Sequence, residues 1–171
     1  MINFPPIHKS YLGSLCALII LVLSTENTLL AQESDLDDLS KKTKTQLFQE
    51  ILEVTPEKHT LYEQELLKRS IDDVEKIDFY TEVGRAFIGE GNYELSDYYL
   101  RKGIAYAERV QDSQKLSRLY TLLGNSKLMT WHNQEALDAY YKALELTSKK
   151  EGIDDRVVII QPNIAIIRRR M

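Results

Sequence analysis

From Val74 onward the apolar residues fall where one face of a helix needs them. Ile77, Tyr80, Val83, Gly84 and Phe87 are separated by three, three, one and three positions, which keeps them on one side of a 3.6-residue turn. Gly91-Asn92-Tyr93 supplies turn chemistry, and Leu95, Tyr99, Leu100, Ile104 and Ala107 form a second apolar face over about residues 93–110. Gln111-Asp112-Ser113 makes the connection to a second predicted pair, about 114–129 and 133–149, before Gly152 breaks the chain. Upstream, Asp35 and Asp38 open a predicted amphipathic helix within 33–56, carried by Leu36, Leu39, Leu47, Phe48, Ile51 and Leu52. Thr55-Pro56 then caps and starts another helix to about Ile71. At the C-terminal end, Val157-Val158-Ile159-Ile160 before Pro162 has strand composition. However, Asp154-Asp155 is a helix start, and a shift of forty-one residues lays Ile164-Ala165 on Leu123-Gly124. This segment is read as a helix kinked at Pro162.

The two central pairs are copies of one pattern. Tyr80-x2-Val83-Gly84 returns forty residues later as Tyr120-x2-Leu123-Gly124, and Ser96, Leu100 and Gly103 return as Ala136, Tyr140 and Ala143. A fixed period of this length marks stacked helical hairpins, because one hairpin cannot bury its apolar face alone. Glycine inside a helix costs about 1 kcal/mol relative to alanine. Gly84 and Gly124 therefore predict places where a neighbouring helix passes too close for a Cβ, with Leu100 and Tyr140 filling the space. Tyr80, Tyr120 and Tyr140 are expected in the core, and Tyr98, Tyr99, Tyr106 and Tyr141 partly exposed.

Over residues 74–150 this pattern resembles the tetratricopeptide repeat, in a long variant with a period near forty. Lys127 stands where that family has an aromatic, Trp131-His132-Asn133 replaces a glycine-containing turn, and neither unit ends in proline. The resemblance implies an all-α fold, an α-α superhelix of antiparallel helical hairpins. It divides the chain into a degenerate hairpin over 33–73, units over 74–112 and 113–150, and the first helix of an incomplete third unit over 154–171. In this family the first helices line an inner wall that holds peptide segments of partners. Helical geometry then turns Asp78, Thr81 and Arg85, and in the next unit Arg118, Thr121, Asn125 and Met129, toward that wall. Arg85 and Asn125 are the expected principal contacts, since both hydrogen-bond an extended peptide.

Composition narrows the function. The 171 residues are 43% hydrophobic and 28% charged, as in ordinary folded proteins, and the net charge of −4 argues against a nucleic-acid surface. Before residue 32 the sequence is of another kind. An apolar run from Tyr11 to Leu23, about 13 residues, matches a secretory signal core rather than a membrane span, and Leu29-Leu30-Ala31 offers a cleavage point. Export to the periplasm or outside the cell is expected, with anchoring in the membrane as the alternative if the segment is retained. The only cysteine, Cys16, lies inside that run, so the mature chain has no thiol chemistry. His8, His59 and His132 lack ligand spacing, so no metal or other cofactor is expected. The paired aspartates sit at helix starts, where the dipole favours them, and no nucleophilic set assembles. The expected function is a non-enzymatic scaffold that binds a protein or peptide partner. An alternative is the N-terminal sensor part of a signalling protein, a histidine kinase or DNA-binding regulator, that ends early at residue 171. The apolar terminal helix is a further candidate for self-association.

Overall fold

A computed structural model describes residues 35–70, 72–147 and 155–171. The expectations placed on the leader, Cys16 and Gly152 lie outside these residues. The described helices are α1 (35–41), α2 (Lys44–Glu50), α3 (Pro56–Lys68), α4 (Asp73–Gly89), α5 (Tyr93–Val110), α6 (Ser113–Met129), α7 (Asn133–Thr147) and α8 (Asp155–Arg170). The protein is all-α, with no strand among the described residues. α4 folds back on α5 and α6 on α7, and α6 meets α5 and α4 as α8 meets α7 and α6. The result is a stack of helical hairpins in which α8 takes the place of the next first helix.

Caps explain most of the boundaries. Asp72 accepts from the Glu75 N–H, Asn92 from Leu95, and Asp112 from Gln114 and Lys115, each satisfying donors that a helix start leaves open. The predicted continuous helix within 33–56 is broken instead at Thr43, whose hydroxyl accepts from the Gln46 N–H while the Gln46 side chain accepts from the Thr43 N–H. That reciprocal capping box restarts the helix. Pro56 holds the first position of α3 as expected, although the Thr55 side chain makes no cap hydrogen bond. α8 runs through Pro162 without interruption, so the expected strand alternative is excluded.

The glycines act as the repeat demands. A Cβ on Gly84 would lie 2.7 Å from Leu100 Cγ and Cδ2, and one on Gly124 would lie 2.5 and 2.6 Å from the Tyr140 ring. Both partners are fully buried. Gly103 makes the contact between hairpins: a Cβ there would meet Leu119 of α6 at 2.9 Å and the Tyr80 Cβ at 3.1 Å. The core then runs through the stack, from Leu47, Ile51 and Tyr99 through Ile77, Leu100 and Leu119 to Tyr140, Ile160 and Ile167. Tyr80 and Tyr140 are buried as expected. Tyr120 is only half-buried, and Tyr99, expected near the surface, is fully buried. It stacks on Phe87 at 5.6 Å and hydrogen-bonds His59 Nδ1 at 3.0 Å. His59 Nε2 donates to the Val54 carbonyl at 3.2 Å, so this histidine is a satisfied core residue.

The two hairpin tips differ at one instructive place. Gly91 and Trp131, forty residues apart, both adopt the left-handed conformation, at φ 74° and 64°. Each closes the same reversal, in which the next N–H reaches back five residues, Asn92 to Phe87 and His132 to Lys127. A side chain in this conformation costs about 1–2 kcal/mol, and the exposed Trp131 ring recovers part of it by stacking under Arg170 at 4.2 Å. Trp131→Gly is therefore expected to raise stability by about 0.5–1 kcal/mol in urea unfolding followed by circular dichroism. A lower midpoint would show that the Arg170 contact outweighs the turn.

Arg69 clamps the N-terminal unit together. Its guanidinium donates to the Leu39 and Ser40 carbonyls at 2.9 and 3.0 Å and to the Lys42 carbonyl, and it pairs with buried Glu65 at 2.8 Å. Burial by itself would raise the Glu65 carboxyl, but hydrogen bonds from Arg69 and Lys68 outweigh it and hold the carboxyl below its ordinary 4.5. A depressed folded value means stability that is complete above 4.5 and lost as the pH falls through the folded value. α1 is therefore expected to lose amide protection in acid before α6 and α7 do. Arg69→Ala should produce the same loss at neutral pH, and equal protection in parent and variant would remove the clamp.

Candidate functional site

Between α4 and α6, the helices that carry most of the predicted contacts, charge is laid in rungs. Asp78 of α4 pairs with Lys115 of α6, and Glu82 accepts from Arg118 of α6 at 2.6 Å and from Arg85 one turn along its own helix at 2.6 Å. Asp78, Arg85 and Arg118 are each more than half exposed, so these rungs face solvent. Exposed pairs of this kind contribute about 0–1 kcal/mol each.

The other predicted contacts fall elsewhere. Thr81 and Thr121 are buried, and each hydroxyl donates to the carbonyl four residues back, Ile77 at 2.7 Å and Ser117 at 2.8 Å. Neither presents a group to a partner, because a threonine that satisfies itself on its own helix fits inside the stack. Asn125 is half-buried and holds the third layer in place. Its oxygen accepts from the Tyr140 hydroxyl at 2.7 Å and from the Asn163 amide of α8 at 3.2 Å, and Asn163 also donates to Tyr140 at 3.0 Å. Met129 is 57% exposed at the hairpin tip beside Trp131. Of the seven, Asp78, Arg85 and Arg118 are brought together, Met129 stands apart, and Thr81, Thr121 and Asn125 are structural.

Beside Asp78 lies a cleft of about 380 Å³ where α2 and α3 meet α4. Phe48, Leu66 and Phe79 give it an apolar lining, and Glu75, Asp78, Glu82 and Lys44 line it with charge. Lys44 pairs with Glu75. Sequence reasoning missed this cleft because the forty-residue pattern is not visible before residue 74, so nothing set α2 and α3 in register with α4. It also missed Lys115 and Glu82. The signal was available: partners on successive first helices stand 36 and 37 residues apart, one repeat less about one helical turn.

A second cleft, of about 300 Å³, lies between α5, α6 and α7, where Arg101, Lys127 and Lys142 alternate with Glu108, Glu135 and Asp138. Lys127 is already shared by Asp97 and Glu135, at 3.3 and 3.0 Å, and holds the Glu135 carboxyl below its usual range through its hydrogen bond. Among the described residues no group of three or more histidines, cysteines and carboxylates is placed to hold a metal ion. No helix among them is long and apolar enough to cross a membrane. Comparison with protein-family models, curated proteins and solved structures gives no match.

Proposed function

We propose that the protein is a non-enzymatic interaction scaffold of the tetratricopeptide-repeat kind, exported from the cytoplasm, that holds an extended peptide segment of a partner along α4 and α6. The observation that supports this reading is the cleft lined by apolar Phe48, Leu66 and Phe79 together with Asp78 and Glu82, the two carboxylates that Lys115, Arg85 and Arg118 pair with. A hydrophobic anchor residue fits the apolar lining, and a basic neighbour fits the carboxylates of Glu75, Asp78 and Glu82. Further along the same peptide, an acidic group or backbone carbonyl is within the chemistry of Arg85 and Arg118.

Selection from a displayed library of extended peptides tests this directly. Sequences that pair a large apolar residue with a nearby lysine or arginine should be enriched. Phe79→Ala should weaken the selected peptides by about tenfold, equivalent to about 1.4 kcal/mol. Arg85→Glu should change which flanking charges are selected. Failure to enrich any such motif, or equal binding by the Phe79→Ala and Arg85→Glu proteins, removes the proposal.

A further inference from the structure

The two central units differ in what meets their second helix from the unit before. In the first, Tyr80 and Lys102 converge on a buried carboxylate of the preceding α3. Glu63 accepts from the Tyr80 hydroxyl at 2.6 Å and from Lys102 at 2.6 and 2.8 Å, and Lys102 lies over the Tyr98 ring at 4.4 Å. Forty residues on, Tyr80, Tyr98 and Lys102 return as Tyr120, Asp138 and Lys142, and all three line the cleft of about 300 Å³ between α5, α6 and α7. Asp138 is much smaller than the tyrosine it replaces. The preceding helix, α5, offers Glu108, which accepts from the Tyr120 hydroxyl at 3.1 Å but makes no ion pair with Lys142. Positions that hold a ring and a carboxylate in one unit therefore border a cleft in the next.

The charges lining that cleft fall into two groups. Arg101 is held by Asp97 at 3.0 Å, and Lys127 by Asp97 and Glu135. Lys142, Asp138 and Glu108 form no ion pair among the described residues. Asp138 stands one helical turn before Lys142, a spacing at which such pairs form. It accepts instead from the Gln134 amide at 3.0 Å, and the ammonium lies over the Tyr120 ring at 5.2 Å. Ile104, Leu123 and Ala139, all buried, give the same cleft an apolar lining. An apolar lining with a few polar groups is the usual make-up of a small-molecule site. We propose that this cleft binds a small zwitterion, a free α-amino acid with an apolar side chain. Its carboxylate takes Lys142, as Glu63 takes Lys102 in the first unit. Its ammonium takes Asp138 and Glu108, and its side chain lies against Ile104 and Leu123. The class follows from charge matching: a simple carboxylate leaves Asp138 and Glu108 unmatched, and a simple amine leaves Lys142.

Isothermal titration calorimetry of the full chain with each common amino acid, up to about 10 mM, tests the site. Apolar amino acids such as leucine and phenylalanine are expected to bind with dissociation constants below about 1 mM. The N-acetyl and amide forms of the best of them, each lacking one charge, should bind at least about tenfold more weakly. Lys142→Ala and Asp138→Ala change exposed side chains, so each should leave the circular dichroism unchanged and weaken binding by at least about tenfold. Asp138→Tyr gives the second unit the ring that the first carries as Tyr98, and should abolish binding with the fold intact. No saturable binding of any amino acid, or binding indifferent to the Lys142 and Asp138 changes, overturns the proposal. Equal binding of the N-acetyl or amide form overturns the zwitterion as its ligand. The cleft shares no residue with the one proposed for the peptide. Loss of amino-acid binding with peptide selection intact, or the converse, therefore separates this proposal from the scaffold reading.

Discussion

Gly124→Leu is expected to unfold the second hairpin, lowering stability by more than about 3 kcal/mol, and Gly124→Ala alone should cost about 1–3 kcal/mol. The reason is that Tyr140 cannot retreat. Its ring lies 2.5 Å from where the new Cβ would stand, the ring is fully buried, and its hydroxyl is fixed by Asn125 at 2.7 Å and Asn163 at 3.0 Å. Burial also pushes the Tyr140 phenol up to about 12, so no ionisation near neutral pH loosens it. Gly84→Ala meets a different neighbour, the branched end of Leu100 at 2.7 Å, which has rotamers to move through. Its cost should be the smaller of the two. Gly89 closes the comparison: nothing lies within 4 Å of a Cβ built there, so Gly89→Ala should gain up to about 1 kcal/mol from helix propensity alone. Urea unfolding midpoints for the three alanine variants should rank Gly89, parent, Gly84, Gly124 in falling order. A Gly124→Ala protein as stable as the parent would mean that the hairpin is not closed by this contact.

That ranking also shows how far the fold could be read in advance. The mid-helix glycines and the bulky residues sixteen positions on, Gly84 with Leu100 and Gly124 with Tyr140, gave both the hairpins and their contact points. A helix tolerates an interior glycine only for a local reason, and here the reason is steric. The helical reading of 155–170 rested on the same register and holds. What escaped was set by partners that no local pattern encodes. Thr43 breaks a helix that apolar periodicity alone carries through, because a capping box competes with helix continuation. Tyr99 is buried because His59, forty residues earlier, provides its polar partner.

The candidate site divides along the same line. Helical geometry turned Asp78, Arg85 and Arg118 toward one face of α4 and α6, and all three are more than half exposed there, since an angle around a helix axis follows from residue number. It placed Thr81 and Thr121 there as well, and missed that the wall's seam is itself buried where α4 meets α6. The apolar cleft was beyond reach for another reason. Its apolar lining combines Phe48 from α2, Leu66 from α3 and Phe79 from α4, and the relative placement of those helices depends on the Arg69 clamp and on a buried charge deep in α3.

Removing that charge is expected to uncouple the N-terminal unit from the hairpins. Glu63 of α3 is 4% exposed and accepts from the Tyr80 hydroxyl of α4 at 2.6 Å and from Lys102 of α5 at 2.6 and 2.8 Å. Lys102 lies over the Tyr98 ring at 4.4 Å, and the Tyr98 hydroxyl stands 3.4 Å from the other carboxylate oxygen. Three helices thus converge on one carboxylate. Burial, then the hydrogen bond to Glu63, raises the Tyr80 phenol well above its ordinary range. Burial by itself would lower the Lys102 ammonium, but its hydrogen bonds to Glu63 and Tyr98 raise it instead. Breaking a buried ion pair from one side costs about 3–5 kcal/mol. Lys102 keeps 36% of its side chain in water and can recover part of its hydration, whereas the Tyr80 hydroxyl cannot. Glu63→Ala should therefore cost about 2–4 kcal/mol, most of it from the stranded phenol and the cavity. Glu63→Gln, which keeps an acceptor for Tyr80, should cost less. In a stack whose units stabilise one another through their interfaces, the loss should fall unevenly. Amide exchange should accelerate across α1 to α3 and the facing side of α4, while α6 and α7 keep their protection. A single unchanged unfolding transition in Glu63→Ala, with protection preserved over residues 35–70, would show that apolar packing alone joins the two parts and that the carboxylate is incidental.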